Sequence, residues 1–192
     1  MALVHVRGER AVIEERSAIE GFLSEHGVHY RRWGTERVPA ALRRSSLGDA
    51  EKARVLELYA REIAAEKEAR GYVAADVVSL APDNPKLDEI CARFDKEHTH
   101  DDDEVRFVVS GHGTFTVRGN GEEAIDIAMG PGDFIVVPRD RRHWFTLLPD
   151  RTIVAVRLFK DSAGWTPRYA GSGTGATEIE ATTLARAFEL TK

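Results

Sequence analysis

The chain has 192 residues, of which 42% are hydrophobic, and a formal net charge of −5. Length and apolar content suffice for one domain with a sizeable core, whereas the acidic balance excludes a general attraction to nucleic acid or to an anionic membrane surface. No apolar run approaches the roughly 20 residues that span a bilayer, charges interrupt the opening MALVHVRGERAVIEE before a signal-peptide core can form, and the single cysteine, Cys91, has no partner for an intrachain disulfide. A soluble cytoplasmic protein with small-molecule or protein partners is expected.

Residues 1–71 read mostly as helix and loop. SAIEGFLSEHG predicts one short helix and DAEKARVLELYAREIAAEKEARG a longer one, with Asp49 as N-cap, Gly71 as C-terminal stop, and Leu56, Tyr59 and Ile63 on an apolar face. VPAALRRSS, with Arg31, Arg32 and Arg37 before it, is locally basic and reads as a solvated face. From Tyr72 the texture changes to short β-prone runs: YVAADVVSL, EVRFVVS, GTFTVR, AIDIAM, DFIVVP, HWFTLL and TIVAVRLF, separated by Gly, Pro, Asn and Asp. This is the signature of a mainly β sandwich or barrel, placed at residues 72–170. Between the first two runs Leu87, Ile90, Cys91 and Phe94 fall at helical spacing, which makes Cys91 a core residue. Asn120-Gly121 predicts a tight hairpin. The tail, 171–192, opens on GSGTG, which lacks the ending and the preceding strand of a phosphate loop and reads as a flexible connection. The whole is expected to be one structural domain.

The chemistry concentrates in KEHTHDDDEVRF. Residues two apart on a strand share a face, so His98 and His100 converge on one point. Glu104 has the same parity, yet on a straight strand it would lie about 13 Å beyond His100. A bend at Asp101, Asp102 and Asp103, residues that favour turns, can fold the next strand back beside the first and bring Glu104 to the histidines. His143 opens another β-prone run after the polar turn that follows Pro138. Taken separately, these segments read as a polar loop and a half-buried histidine; taken together on β-rich scaffolding, they favour a metal site. Three imidazoles and one carboxylate fill four positions of an octahedron and leave two for substrate or water. His5, His26, His29 and His112 read as structural or exposed.

The segment from Glu104 through VRFVVS to Gly111 resembles the first cupin motif, and Gly132, Pro138 and His143 resemble the second. The commonest cupin pattern has glycine where Ala92 or Arg93 stands, glycine at Asp140 and asparagine at Leu147; Asp140 is compatible because Asp visits left-handed turns. More narrowly, EHTHDDDEVRF, HWF, and VAVRLF followed by GW resemble the acireductone dioxygenase family of methionine salvage, over the stretch from Tyr30-Arg31-Arg32-Trp33 to about Trp165. The resemblance implies a cupin (double-stranded β-helix, jelly-roll) barrel with an N-terminal helical region. It implies one Fe(II) or Ni(II) per chain, held by His98, His100, Glu104 and His143. The implied substrate is the acireductone 1,2-dihydroxy-3-keto-5-methylthiopentene, which chelates the metal as an enediolate and reacts with O2. With iron the products are formate and the 2-keto acid precursor of methionine; with nickel they are carbon monoxide, formate and methylthiopropionate.

Arg106 lies two residues after Glu104, so it faces the barrel interior if Glu104 does. A buried guanidinium requires an anionic partner. That partner is either the enediolate or metal-bound carboxylate, or one of Asp101, Asp102 and Asp103 at the rim. Arg157 poses the same question on another strand. Phe145 shares the face of His143, and with Phe94 and Trp165 forms a candidate apolar wall for a methylthio side chain. The residues alone leave two rivals open: another metal-dependent cupin dioxygenase or isomerase, and a non-catalytic ligand-binding cupin. A monomer with no nucleic-acid or membrane partner is expected.

Overall fold

Alternating apolar residues in short runs build two antiparallel sheets, and the chain wraps its helices around them. The computed structural model describes residues 1–43, 46–161, 166–170 and 177–190. In chain order the elements are β1 (Leu3–Val6), β2 (Val12–Ile13), α1 (Arg16–Glu25), β3 (His29–Arg32), a short 3-10 turn (Ala40–Arg43), α2 (Asp49–Leu58), α3 (Ala60–Arg70), β4 (Ala74–Leu80), α4 (Leu87–Phe94), β5 (His98–Thr99), β6 (Glu104–Gly111), β7 (Gly113–Arg118), β8 (Ala124–Met129), β9 (Asp133–Val137), β10 (His143–Leu147), β11 (Ile153–Phe159), β12 (Arg168–Tyr169) and α5 (Ala181–Phe188). The larger sheet runs β12-β5-β10-β7-β8-β1-β2 and the smaller β3-β9-β6-β11-β4. The interior between them is filled by one face of each, including Phe115, Val117, Ile127 and Met129 from the larger and Val108, Ile135, Val137 and Ala155 from the smaller. The opposite parity of the smaller sheet, Val105, Phe107, Phe134, Val136, Val154 and Val156, packs against Val55, Tyr59 and Ile63 of the helical layer. This is the mainly β cupin architecture with a helical N-terminal region.

Several local expectations change. The single helix over 49–71 is two, because Tyr59 leaves helical geometry (φ −108°, ψ 15°) and is fully buried, with its hydroxyl donating to Gly34 O at 3.0 Å. The break lets both Val55 and Ile63 reach the sheet. Gly48, not Asp49, is the N-cap of α2, and Gly71 ends α3 in the left-handed region at φ 77°. The expected tight hairpin does join β7 to β8, with Glu122 rather than Asn120 or Gly121 in the left-handed position (φ 70°), Glu122 N donating to Gly119 O at 3.2 Å, and Gly119 N to Glu123 O at 2.9 Å. Asn120 instead donates its side-chain amide to Glu25 O at 2.8 Å, tying the loop to α1.

The first 71 residues also supply strands: β1 and β2 extend the larger sheet beyond β8, and β3 edges the smaller beside β9. The basic stretch is paired rather than simply solvated, with Arg31 on Glu66, Arg32 on Asp133 and Arg37 on Glu62. Within the tail, GSGTG lies outside the described residues, but Ile179, Leu184 and Phe188 pack on Leu3, Ala128 and Leu148 at the outer face of the larger sheet. There the fully buried Asp126 accepts from Thr177 Oγ1 at 3.0 Å and Glu178 N at 2.7 Å. Among the described residues no helix is long and apolar enough to cross a membrane.

Candidate metal centre

The aspartate run sends the chain from one sheet to the other rather than back beside β5. Asp102 accepts from Asp103 N at 2.7 Å and from Lys160 N at 2.6 Å, and Asp103 accepts from Tyr72 Oη at 3.0 Å and Lys160 Nζ at 2.8 Å. These bonds fix the crossing between β5 in the larger sheet and β6 in the smaller. Glu104 therefore meets the histidines across the interior and not from a neighbouring strand. On the other side, β5 and β10 pair at a single position, His98 opposite His143. Between β9 and β10 the left-handed Asp140 (φ 62°) turns its N–H onto His100 O at 2.8 Å, which draws the two histidine-bearing segments together.

The result is a close group. Ligand atoms of His98, His100 and His143 lie within 4.8 Å of one another, and His100 Nε2 is 3.5 Å from Glu104 Oε2. All four side chains are buried. His98 Nδ1 meets Lys96 O at 2.6 Å and His143 Nδ1 meets Arg141 O at 2.8 Å. A backbone carbonyl can only accept, so each Nδ1 carries the proton and each Nε2 presents a lone pair to the site.

Burial lowers the pKa of His98, takes His100 down to about 4 and holds His143 well below the usual imidazole range. The imidazoles are thus neutral near pH 7, the form that binds a cation. Burial pushes Glu104 up to about 7 against the opposing effect of Arg106. His143 Nε2 and Glu104 Oε2 are buried with no hydrogen-bond partner among the described residues. Neutral nitrogen donors beside a carboxylate, and two inward-facing atoms without hydrogen-bond partners, are the condition that a divalent transition metal resolves. The donor set fits such an ion.

A cavity of about 360 Å³ opens beside this group and contains its four side chains. Arg106 enters it, 2.5 Å from Glu104 Oε1, and burial lowers the guanidinium pKa to about 10. Its observed partner is thus the carboxylate beside the histidines. Arg157 sits opposite Arg106 on β11 and also lines the cavity, but its guanidinium forks onto Asp76 of β4, with Nε at 2.6 Å. Phe94 and Phe145 line the same cavity with ring centroids 6.4 Å apart, and Phe115 backs Phe145 at 4.8 Å. Trp165 lies outside the described residues.

The sequence reading did not find Val78, Leu80, Ile153 and Ala155, which complete the apolar end. Strand parity with Asp76 and Arg157 marks all four. It also missed Pro167 and Tyr169 at the mouth. Tyr169 stands edge-on to His98 at 5.9 Å and carries no signal in the sequence, because only the pairing of β12 with β5 brings it there. Cys91 is half-buried and packs against the interior core.

Comparison with known proteins agrees with this geometry. The model of the ARD/ARD' family matches residues 39–167. The acireductone dioxygenases of Bacillus licheniformis and Bacillus mycoides are each 45% identical to the chain, over 88% of its length and 96% and 100% of theirs. A solved structure described as acireductone dioxygenase from Bacillus anthracis with a cadmium ion in the active centre superposes with a TM-score of 0.85 at 44% identity, covering 88% of this chain and 98% of that one. The chain belongs to the ARD/ARD' family, the acireductone dioxygenases.

Proposed function

We propose that the protein cleaves 1,2-dihydroxy-3-keto-5-methylthiopentene with O2, using one Fe(II) or Ni(II) per chain held by His98, His100, Glu104 and His143. The observation that carries the reading is the convergence of three buried histidines and a buried carboxylate on the wall of one cavity, in a member of this family. When bound, the ion supplies the Lewis-acid and redox chemistry that side chains lack. The rest falls to the chain. His98 and His143, oriented by Lys96 O and Arg141 O, present fixed donors. Arg106 balances the charge of Glu104 and sets its positive charge beside the position of an enediolate oxygen in the same cavity. Phe94, Phe115 and Phe145 form a wall that suits an apolar methylthio group and keeps water from the reacting carbons. All four donors come from one chain, so a monomer is sufficient for activity.

With iron the expected products are formate and 4-methylthio-2-oxobutanoate; with nickel they are carbon monoxide, formate and methylthiopropionate. The test is to strip the protein, reload it separately with each ion, add the acireductone in air, and follow O2 uptake, carbon monoxide and the keto acid. Carbon monoxide confined to the nickel form and keto acid predominating with iron is the expected outcome. Identical products would remove the dual chemistry, and no O2 uptake with either ion would remove the assignment of substrate.

A further inference from the structure

We propose that Arg118 and Glu97, on the outer face of the larger sheet, are positioning residues for the histidine half of the metal centre. The inference rests on the reading of His98 and His143 as metal donors. β5 is two residues long and pairs with β10 at one position only, so the backbone ladder alone holds His98 weakly against His143. Behind that pair lies an ionic clamp on a buried carboxylate. Glu97, immediately before His98 and 2% exposed, receives Arg118 Nε at 2.9 Å and a second nitrogen of the same guanidinium at 3.3 Å. Arg142, immediately before His143, is paired with Glu122 and also approaches the same carboxylate at 3.5 Å. One carboxylate is thus shared by arginines from the residue before His143 and from the end of β7.

Arg118 is also the hub of the backbone on that side. Its N–H donates to Arg142 O at 2.9 Å, its carbonyl accepts from Arg141 at 2.9 Å, and its guanidinium donates to Glu122 O at 3.2 Å and lies 5.2 Å over the Trp144 ring. The carbonyls that orient the two imidazoles, Lys96 O and Arg141 O, belong to residues directly beside Glu97 and Arg142. Holding Glu97 to Arg142 through Arg118 therefore sets the spacing of the two carbonyls, and with it the direction of the two Nε2 lone pairs. A fork that engages both oxygens of a buried carboxylate fixes orientation as a lysine cannot.

The outer face provides a matched control. Arg7 also stacks on Trp144, at 5.3 Å, but its ion pair is with Asp126 of β8 and not with a residue beside either histidine. Arg118→Lys and Arg7→Lys are to be compared for thermal stability and for the affinity of the stripped protein for Co(II), read by its visible absorption under competition with a chelator. Outer-sphere partners of metal ligands typically change affinity 10- to 100-fold. One step further out, Arg118→Lys is expected to weaken Co(II) binding about tenfold and to alter the absorption band, while Arg7→Lys lowers stability without either change. Glu97→Gln, which keeps the shape but loses the charge, should fall between wild type and Arg118→Lys. Equal effects of Arg118→Lys and Arg7→Lys on affinity, or none from Arg118→Lys, would overturn the proposal. His143→Ala serves as the reference: if it retained full Co(II) affinity, the ligand assignment itself would fail, whereas loss in His143→Ala with no loss in Arg118→Lys would defeat only the positioning role.

Discussion

Arg106 is the residue on which the cavity's electrostatics turn. Its side chain is only 12% exposed, its neighbour across the strand pair is another arginine, and its guanidinium lies 2.5 Å from Glu104 Oε1. Arg157 is paired with Asp76, and the role proposed for Arg106 is to balance the charge of Glu104 and of the substrate. Replacing it by leucine removes a charge-assisted hydrogen bond worth roughly 1.5 to 3 kcal/mol, or about a ten- to hundredfold fall in kcat/KM. Metal content measured after gel filtration should stay near that of wild type, since the imidazoles are held by backbone carbonyls. Unchanged kinetics in a folded Arg106→Leu variant would confine the residue to a structural ion pair with Glu104.

Among elements, the approach of β7 to β10 is the most exacting. Gly113 stands opposite Leu147, and a Cβ built on it would lie 2.2 Å from the end of the Phe145 ring. Gly113→Ala must push that ring from the cavity wall. The expected result is a rise in KM for the acireductone exceeding the fall in kcat, together with a loss of stability in urea. In the double variant Gly113→Ala/Phe145→Ala the clash is gone, so the two losses should fall short of additive by about 0.5 to 3 kcal/mol; strict additivity would mean that the ring is not the obstacle.

The elements also show what the sequence discloses. The β-prone runs correspond nearly residue for residue to β4 and β6–β11, because the interior of each sheet selects every second side chain and Gly, Pro and Asp mark the ends. His98 and Arg106 were legible for the same reason, whereas His100 lies just past the end of β5. The crossing at Asp101–Asp103 was not, since a turn signal says that the chain bends but not which sheet receives it. LVHV and HYRR gave no strand signal, being short and polar or unbounded, and owe their state to pairing with β8 and β9. The break at Tyr59 is likewise tertiary: an aromatic side chain in a helical pattern reads as one more apolar position until Trp33 and Phe107 surround it.

Across the whole molecule, three buried tyrosines join segments distant in sequence: Tyr30 donates to Asp133 at 2.7 Å, Tyr59 to Gly34 O at 3.0 Å and Tyr72 to Asp103 at 3.0 Å. Burial raises all three above the ordinary value of 10, Tyr59 to about 12. The unfolded chain ionises them near pH 10 while the folded chain keeps their protons. Stability from these groups is therefore complete below pH 10 and falls as pH rises toward 12, by up to about 1.4 kcal/mol per pH unit for each tyrosine. Urea midpoints measured from pH 9 to 11.5 should drop steadily; a flat profile would mean that the phenols ionise freely in the folded state. The chain leaves the larger sheet after His100 and enters the smaller at Glu104, so the proposed ion would be bonded to both layers at once. Such an ion would be a fastener as well as a reaction centre. Its binding energy would add to the cohesion of the barrel mouth, where β5 has little ladder of its own. The supply of metal would then govern how long each polypeptide survives opening and proteolysis, in addition to how fast it turns over.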